Sequence, residues 1–328
     1  MMNSNRRKLI GFAGGSAALT AFPSAFTSLY AQDKFPSQPI EVVTHSGVGG
    51  GTDITARMMM VHAPGVFKTE FVVVNRTGGS GAAAMDYMMG RPKDGHTIAL
   101  ITQTHLLTIL RSKGKYKYED LVPLARATED PQLLMVGKNS PLKTPQDYLA
   151  AGRSKALKYG TTHVGSVDHI ATVAVSRAAK HVPPVIVPFR GGADTVINLV
   201  GGNIDCALAN FAEAETQLKS GDVRPLMIFA EQRLKTLPNV PTGKEAGVNA
   251  GSQSTVRGFV TSRGTPPDRV KALEEGLVKA MQGQMFTTYL ESSGQALDSV
   301  TGSGPWKAQL DQFMVDGKQT LEALGLLK

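Results

Sequence analysis

Two glycine-bearing stretches carry residue types and spacings suited to holding an anion. The first is His45-Ser46-Gly47-Val48-Gly49-Gly50-Gly51-Thr52-Asp53, between a run that reads as a strand and one that reads as a helix. Backbone N–H groups at a helix start lack intrahelical partners and sit at the positive end of the helix dipole, so they attract negative charge. Glycines let a ligand approach that backbone closely. The named phosphate motifs do not fit: no Gly-Lys-Ser/Thr follows, and Thr52 stands where a dinucleotide loop has its third glycine. A strand-to-helix turn capped by Thr52 or Asp53 accounts for the same residues. The second stretch, Tyr159-Gly160-Thr161-Thr162-His163-Val164-Gly165-Ser166-Val167-Asp168-His169, brings hydroxyls, a glycine and backbone amides to another helix start. It reads as a carboxylate cradle, or as a plain helix start with Ser166 as its N-cap. His163 and His169 are six residues apart, off a common helix face, which argues against a shared zinc ion.

Covalent and redox chemistry find weaker support. Gly78-Gly79-Ser80-Gly81-Ala82 approaches the nucleophile elbow, but Ala82 fills the position of its last glycine. Cys206 lies in an apolar run and reads as a small buried hydrophobe. Met58, Met59 and Met60, with Met85, Met88 and Met89, read as helix packing. Basic residues alternate with acidic ones and aromatics make up only 6%, a poor basis for a nucleic-acid groove. No catalytic residue, metal, cofactor or nucleic-acid partner is expected.

The elements that would hold these loops follow a regular order. The chain has 328 residues, a length that suits two α/β lobes, and one cysteine, which rules out an intramolecular disulfide. Residues 1–31 hold Arg6, Arg7 and Lys8 and no acid; the apolar stretch Leu9–Phe22 follows, then Ser28-Leu29-Tyr30-Ala31. That order is an export signal cut near Ala31, and Asn5-Arg6-Arg7-Lys8-Leu9-Ile10 also fits a twin-arginine signal. Gly14, Gly15, Ser16, Thr20 and Pro23 interrupt it too often for a membrane span. Cleavage lowers the formal charge of +8 by three. Strands are predicted over Pro39–Thr44, Phe71–Asn75, Thr97–Ile101, Leu157–Thr161, Val185–Phe189, Ile204–Leu208, Leu226–Ala230 and Thr255–Thr261. Helices are predicted over Thr52–His62, Gly81–Met89, Val167–Lys180 and Ala193–Val200, with several more toward the C-terminus. Such alternation predicts parallel sheets with right-handed crossovers. The lone apolar run Leu133–Val136 reads as a strand crossing between lobes, and Leu237–Pro241 as part of the return. The expected lobes are 32–124 with 231–328, and 125–230.

These blocks together resemble a family. Phe35-Pro36-Ser37-Gln38-Pro39-Ile40, Gly49-Gly50-Gly51-Thr52-Asp53, Val73-Val74-Asn75-Arg76 with Gly78-Gly79, and Asp94-Gly95-His96-Thr97 stand in the order found in the solute-binding proteins of tripartite tricarboxylate transporters, the Bug receptors. Val187-Pro188-Phe189-Arg190-Gly191, Gly201-Gly202-Asn203-Ile204-Asp205, Leu237-Pro238-Asn239-Val240-Pro241-Thr242 with Glu245-Ala246-Gly247, and Gly264-Thr265-Pro266-Pro267 continue it. The resemblance implies a periplasmic-binding-protein-like fold, a Venus flytrap of two α/β lobes joined by crossing strands. It implies a monomeric, non-enzymatic periplasmic receptor that carries a small organic carboxylate to a membrane permease. In the family's pattern the ligand would meet Gly49, Gly50, Gly51, Thr52 and Asp53 on one lobe and Thr162, Gly165, Ser166 and His169 on the other. Asn75, the loop holding Thr102, Thr104 and His105, and Asp205 would fill further cleft positions. The chain departs from the pattern at His45-Ser46-Gly47-Val48, where the family has a proline-rich loop with phenylalanine. It departs again at Gln103-Thr104-His105-Leu106-Leu107, where a small Ser/Gly-rich stretch is usual. Whether His45 and His105 touch the ligand is open at this point. A ligand-sensing receptor for a signalling partner and an exported serine hydrolase built on Ser80 are the alternatives.

Overall fold

The computed structural model describes residues 34–323 and 325–327, and the expected export signal lies outside the described residues. The chain alternates as its β-branched runs and helical periodicities require. It begins with β1 (Ile40–Thr44), α1 (Gly51–Met60), α2 (Ala63–Phe67), β2 (Phe71–Asn75), α3 (Ala82–Met89), β3 (Thr97–Thr102) and α4 (Gln103–Arg111). It continues through β4 (Leu121–Gly137), α5 (Pro145–Ser154), β5 (Lys158–Thr161), α6 (Val167–Ala178), β6 (Val185–Pro188) and α7 (Gly192–Val200). Then come β7 (Cys206–Asn210), α8 (Phe211–Ser220), β8 (Val223–Ile228), β9 (Ser254–Ser262), α9 (Pro267–Met281), α10 (Gln284–Ser292), β10 (Thr301–Gly302) and α11 (Ser303–Ala323). No described helix is long and apolar enough to cross a membrane.

The strands order as β2-β1-β3-β9-β4-β7-β5-β6, with β8 and β10 also paired to β4. The crossovers make β1 parallel to β2 and β3, and β5 parallel to β6 and β7. Between these blocks runs β4, whose 17 residues serve both. From Leu121 to Pro131 it pairs antiparallel with β9, and from Gln132 onward it pairs with β7 and β8. The sequence predicts only Leu133–Val136 here, because Pro123, Arg126, Glu129, Asp130 and Pro131 break the apolar pattern. Pairing with β9 overrides that local signal, and register shifts near Pro123 and Arg126 absorb the irregular residues.

Each block is a sheet between two helical layers. In the first, Ile40 and Val42 pack with Met59, Leu277 and Phe286 on one face, while Val43 and Ile101 pack with Met88, Trp306 and Leu310 on the other. In the second, Leu134 and Leu208 meet Tyr148 and Val175, and Leu133 and Ala207 meet Val196 and Leu199. This is the two-lobed α/β architecture of the binding-protein fold. The stretch after residue 230, expected with the first lobe, packs on the second: Leu234 and Val240 join the Val196 core, and Val248 joins the Tyr148 core. Cys206 is fully buried, and burial pushes its thiol up.

Candidate functional site

Strands β1, β3, β5 and β7 all point their carboxyl ends at one crevice, the place where open α/β sheets bind ligands. A cavity of about 50 Å³ lies there, with His45, Thr52, Thr104 and Arg257 on one side and Thr162, His163, Gly192 and Glu213 on the other. A second cavity of about 360 Å³ shares Arg190 and Gly191 with it and is lined also by Gly50 and Asn75. Hydrogen bonds tie the crevice walls together. Gly51 N–H donates to Glu213 Oε1 (2.9 Å), Val167 N–H to Thr104 Oγ1 (3.3 Å) and Ser80 Oγ to the Val164 carbonyl (3.3 Å).

The glycine loop is not an open cradle, as the sequence suggests, but one already furnished by the protein. Gly49 N–H donates to Asp53 Oδ2 (3.0 Å), Gly50 N–H to the Gly47 carbonyl (3.1 Å), and Gly51 N–H to Glu213. Asp53 faces away from the cavity, into Arg57 (2.9 Å) and Asn75 (2.9 Å). Burial works to raise its carboxyl, yet the hydrogen bonds from Arg57, Asn75 and Gly49 outweigh that and hold it below the usual carboxylate range. Asn75 also donates to the Ser46 carbonyl (2.9 Å), so its amide braces the loop from behind.

The second loop is furnished in the same way. Asp168 accepts from the Thr162 N–H and hydroxyl and from the Ser166 hydroxyl, and Gly165 N–H donates to His169 Nδ1 (2.7 Å). Ser166 Oγ accepts the His169 N–H, making it the N-cap of α6. Gly165 has a φ of +75°, which glycine adopts without strain, and a Cβ there would overlap the Arg111 guanidinium.

The segment expected as a loop after the third strand is helix α4. Thr102 Oγ1 accepts the Thr104 N–H (3.2 Å) and His105 Nδ1 accepts the Thr102 N–H (3.1 Å), a reciprocal capping box. His105 therefore stands behind the cavity wall, its ring edge-on to His45 at 4.4 Å, while His45 itself lines the cavity. Burial pushes the His105 imidazole down to about 4 and holds His45 well below its ordinary value, helped there by the neighbouring His105, His163 and Arg257.

Of the site residues expected from sequence, Gly51, Thr52, Thr104 and Thr162 line the main cavity, and Gly50 and Asn75 line its neighbour. Gly49, Asp53, His105, Gly165, Ser166 and His169 support those walls from behind. Asp205 is a correction. Its carboxylate accepts the Lys158 N–H (2.8 Å) at the amino ends of β5 and β7, whereas the cavity lies at their carboxyl ends. The sequence reading missed Arg257, Glu213, Asn210 and Gln132. Arg257 is 2% exposed; its Nη1 bonds Asp130 (2.8 Å) and its Nη2 bonds Asn210 Oδ1 (2.8 Å). Burial pushes the Asp130 carboxyl up to about 7 against the pull of Arg257. The capping box formed by Asn210 and Glu213 was the one local signal available, an Asn-x-x-Glu at the end of a strand. His45 Nδ1, Gln132 Oε1 and Arg257 Nε are buried without a hydrogen-bond partner among the described residues.

The buried histidines carry a pH prediction. His45, His105, His163, His169 and His181 all have values lowered by burial, so each favours folding above its ordinary 6.5 and loses that contribution as pH falls toward the folded value. Asp130, raised instead, pulls the other way between about 4 and 7. Moving from pH 7.5 to 5 should therefore destabilise the wild type by about 2 kcal/mol more than His105→Asn, which lacks the imidazole. Urea denaturation of both proteins at both pH values measures this; parallel losses would refute it.

The comparisons agree with this architecture. The sequence model described as a tripartite tricarboxylate transporter family receptor matches residues 56–324. The UPF0065 protein in the tcbD-tcbE intergenic region of Pseudomonas sp. strain P51 is 30% identical over 300 residues, 90% of this chain and 87% of that one. A TctC solute-binding protein from Polaromonas, solved without ligand, is 28% identical with a TM-score of 0.64, covering 88% of this chain and 99% of its own. MatC from Rhodopseudomonas palustris with bound malate gives a TM-score of 0.78 at 24% identity, covering 88% and 100%.

Proposed function

This chain belongs to the tripartite tricarboxylate transporter receptor family, and we propose that it is an exported, monomeric receptor that captures a small organic carboxylate between its lobes and delivers it to a membrane permease. The lobes divide near Pro131 and Ser254, the last pair of the β4–β9 ladder. The observation that carries the reading is the polar cavity whose two walls are joined by the Gly51–Glu213 and Val167–Thr104 hydrogen bonds. A ligand that touches both walls binds the closed form better than the open one and so shifts the population toward closure. The permease would then recognise the closed shape. The cavity has room for only a few water-sized groups, each needing roughly 10–15 Å³. The lobes must therefore part before anything larger enters.

Ligand binding stabilises a folded protein by about 2.7 kcal/mol at a concentration one hundred times Kd, roughly 4 °C for a protein of this size. A thermal-shift screen of mono-, di- and tricarboxylates and aromatic acids should yield at least one such shift. Native mass spectrometry of the freshly purified protein should show the same class of ligand. Failure of every acid to raise the melting temperature would overturn the reading.

A further inference from the structure

We propose that Glu213 is a specificity-determining residue whose carboxylate fills an anion position of the cleft, so that the preferred ligand is a small monocarboxylate bearing a hydrogen-bond donor. The inference rests on the carboxylate-receptor reading and narrows it. Glu213 Oε1 accepts the N–H of Gly51, the first residue of α1, and its Oε2 accepts the Asn210 N–H (3.1 Å) at the start of its own helix. A Cβ on Gly192, the first residue of α7, would overlap the same carboxylate. The carboxylate thus sits where three helix starts converge, beside the Arg257 guanidinium. It has the surroundings that a ligand's carboxylate would otherwise take.

The start of α6, on the same wall as Glu213, is filled as well, by Asp168 through Thr162 and Ser166. Two protein carboxylates therefore face the cavity, while the buried Arg257 is already matched by Asp130. A diacid would add two negative charges beside them, and a monoacid adds one, which Arg190 at the rim can meet through its terminal amino groups, since only its Nε is engaged, by Asp194 (3.2 Å). Gln132 Oε1, 98% buried and unpartnered among the described residues, lines the same cavity and asks for an O–H or N–H from the ligand.

The test uses acids that differ by one carboxylate: 3-hydroxybutyrate against malate, and 4-aminobutyrate against glutamate, titrated calorimetrically into the purified protein. The monoacid of at least one pair should bind at least tenfold more tightly than its diacid. Glu213→Ala should shift that ratio at least tenfold toward the diacid. If diacids bind the wild type as well as or better than their monoacid partners, the inference falls and the carboxylate-receptor reading stands. It falls too if Glu213→Ala weakens both members of a pair equally, since that marks a structural role. If none of the four acids binds the wild type, the inference falls, and the carboxylate-receptor reading falls with it only when every acid of the thermal-shift screen fails too. Should the variant fail to fold, the wild-type pairs decide the question alone.

Discussion

Replacing Arg257 by leucine should destabilise the protein by about 3–5 kcal/mol, the loss typical when one partner of a buried ion pair is removed. Both members are almost fully enclosed, Arg257 at 2% exposure and Asp130 at 1%. Without the guanidinium, Asp130 remains as an uncompensated charge and Asn210 Oδ1 loses its donor. Two controls separate this cause from lost packing. The double variant Arg257→Leu/Asp130→Leu should recover much of the loss, because two apolar side chains leave no charge behind. The single variant should also suffer less at pH 5 than at pH 8. Burial already pushes the Asp130 carboxyl up to about 7, and losing the adjacent cation raises it further, so in acid the residue is neutral and no longer needs a partner. Urea denaturation of the three proteins at both pH values measures the effect; a pH-independent loss that the double variant does not recover would show that packing alone is responsible.

Gly51→Ala should weaken ligand binding at least tenfold, about 1.4 kcal/mol, and destabilise the protein by roughly 1–3 kcal/mol through overpacking. A Cβ at residue 51 would overlap the Arg257 guanidinium and stand 3.1 Å from Glu213 Oε1. A free arginine tip could swing aside at little cost, but this one is held by Asp130 and Asn210. The strain therefore passes either to the ion pair or to the Gly51–Glu213 bond that joins the walls. Gly247→Ala serves as a control outside the cleft, since that glycine has a φ of +83° and open space around it. It should alter stability through its backbone alone and leave affinity unchanged. Equal losses of affinity in the two variants would show that Gly51 has no special role in the cleft.

The fold was largely legible where local pattern and local packing agree. Phe71–Asn75 reads as a strand and is one, because its β-branched run needs no distant partner to prefer extension. The start of α6 at Ser166 is legible for a similar reason, since a capping hydroxyl acts within three residues. Legibility failed where pairing overrode pattern. β4 carries charges and prolines through residues that its neighbour β9 nevertheless keeps extended. Helix α4 was hidden because its cap pairs Thr102 with a histidine in place of the usual Glu or Gln.

The candidate site divides along the same line. The sequence by itself determined where backbone amides gather: the starts of α1 and α6 follow from glycines, hydroxyls and periodicity lying next to one another in the chain. Only the tertiary structure decided what those amides face. Glu213 reaches Gly51 across 162 residues of chain, and Arg257 reaches Asp130 across 127. Neither partner leaves a mark on the other's neighbourhood in sequence, because a long-range ion pair or hydrogen bond is selected by the geometry of the packed lobes and by the cost of burying a charge unpaired. Sequence thus marked two helix starts whose amides suit an anion, and the fold set the carboxylates of Glu213 and Asp168 against them.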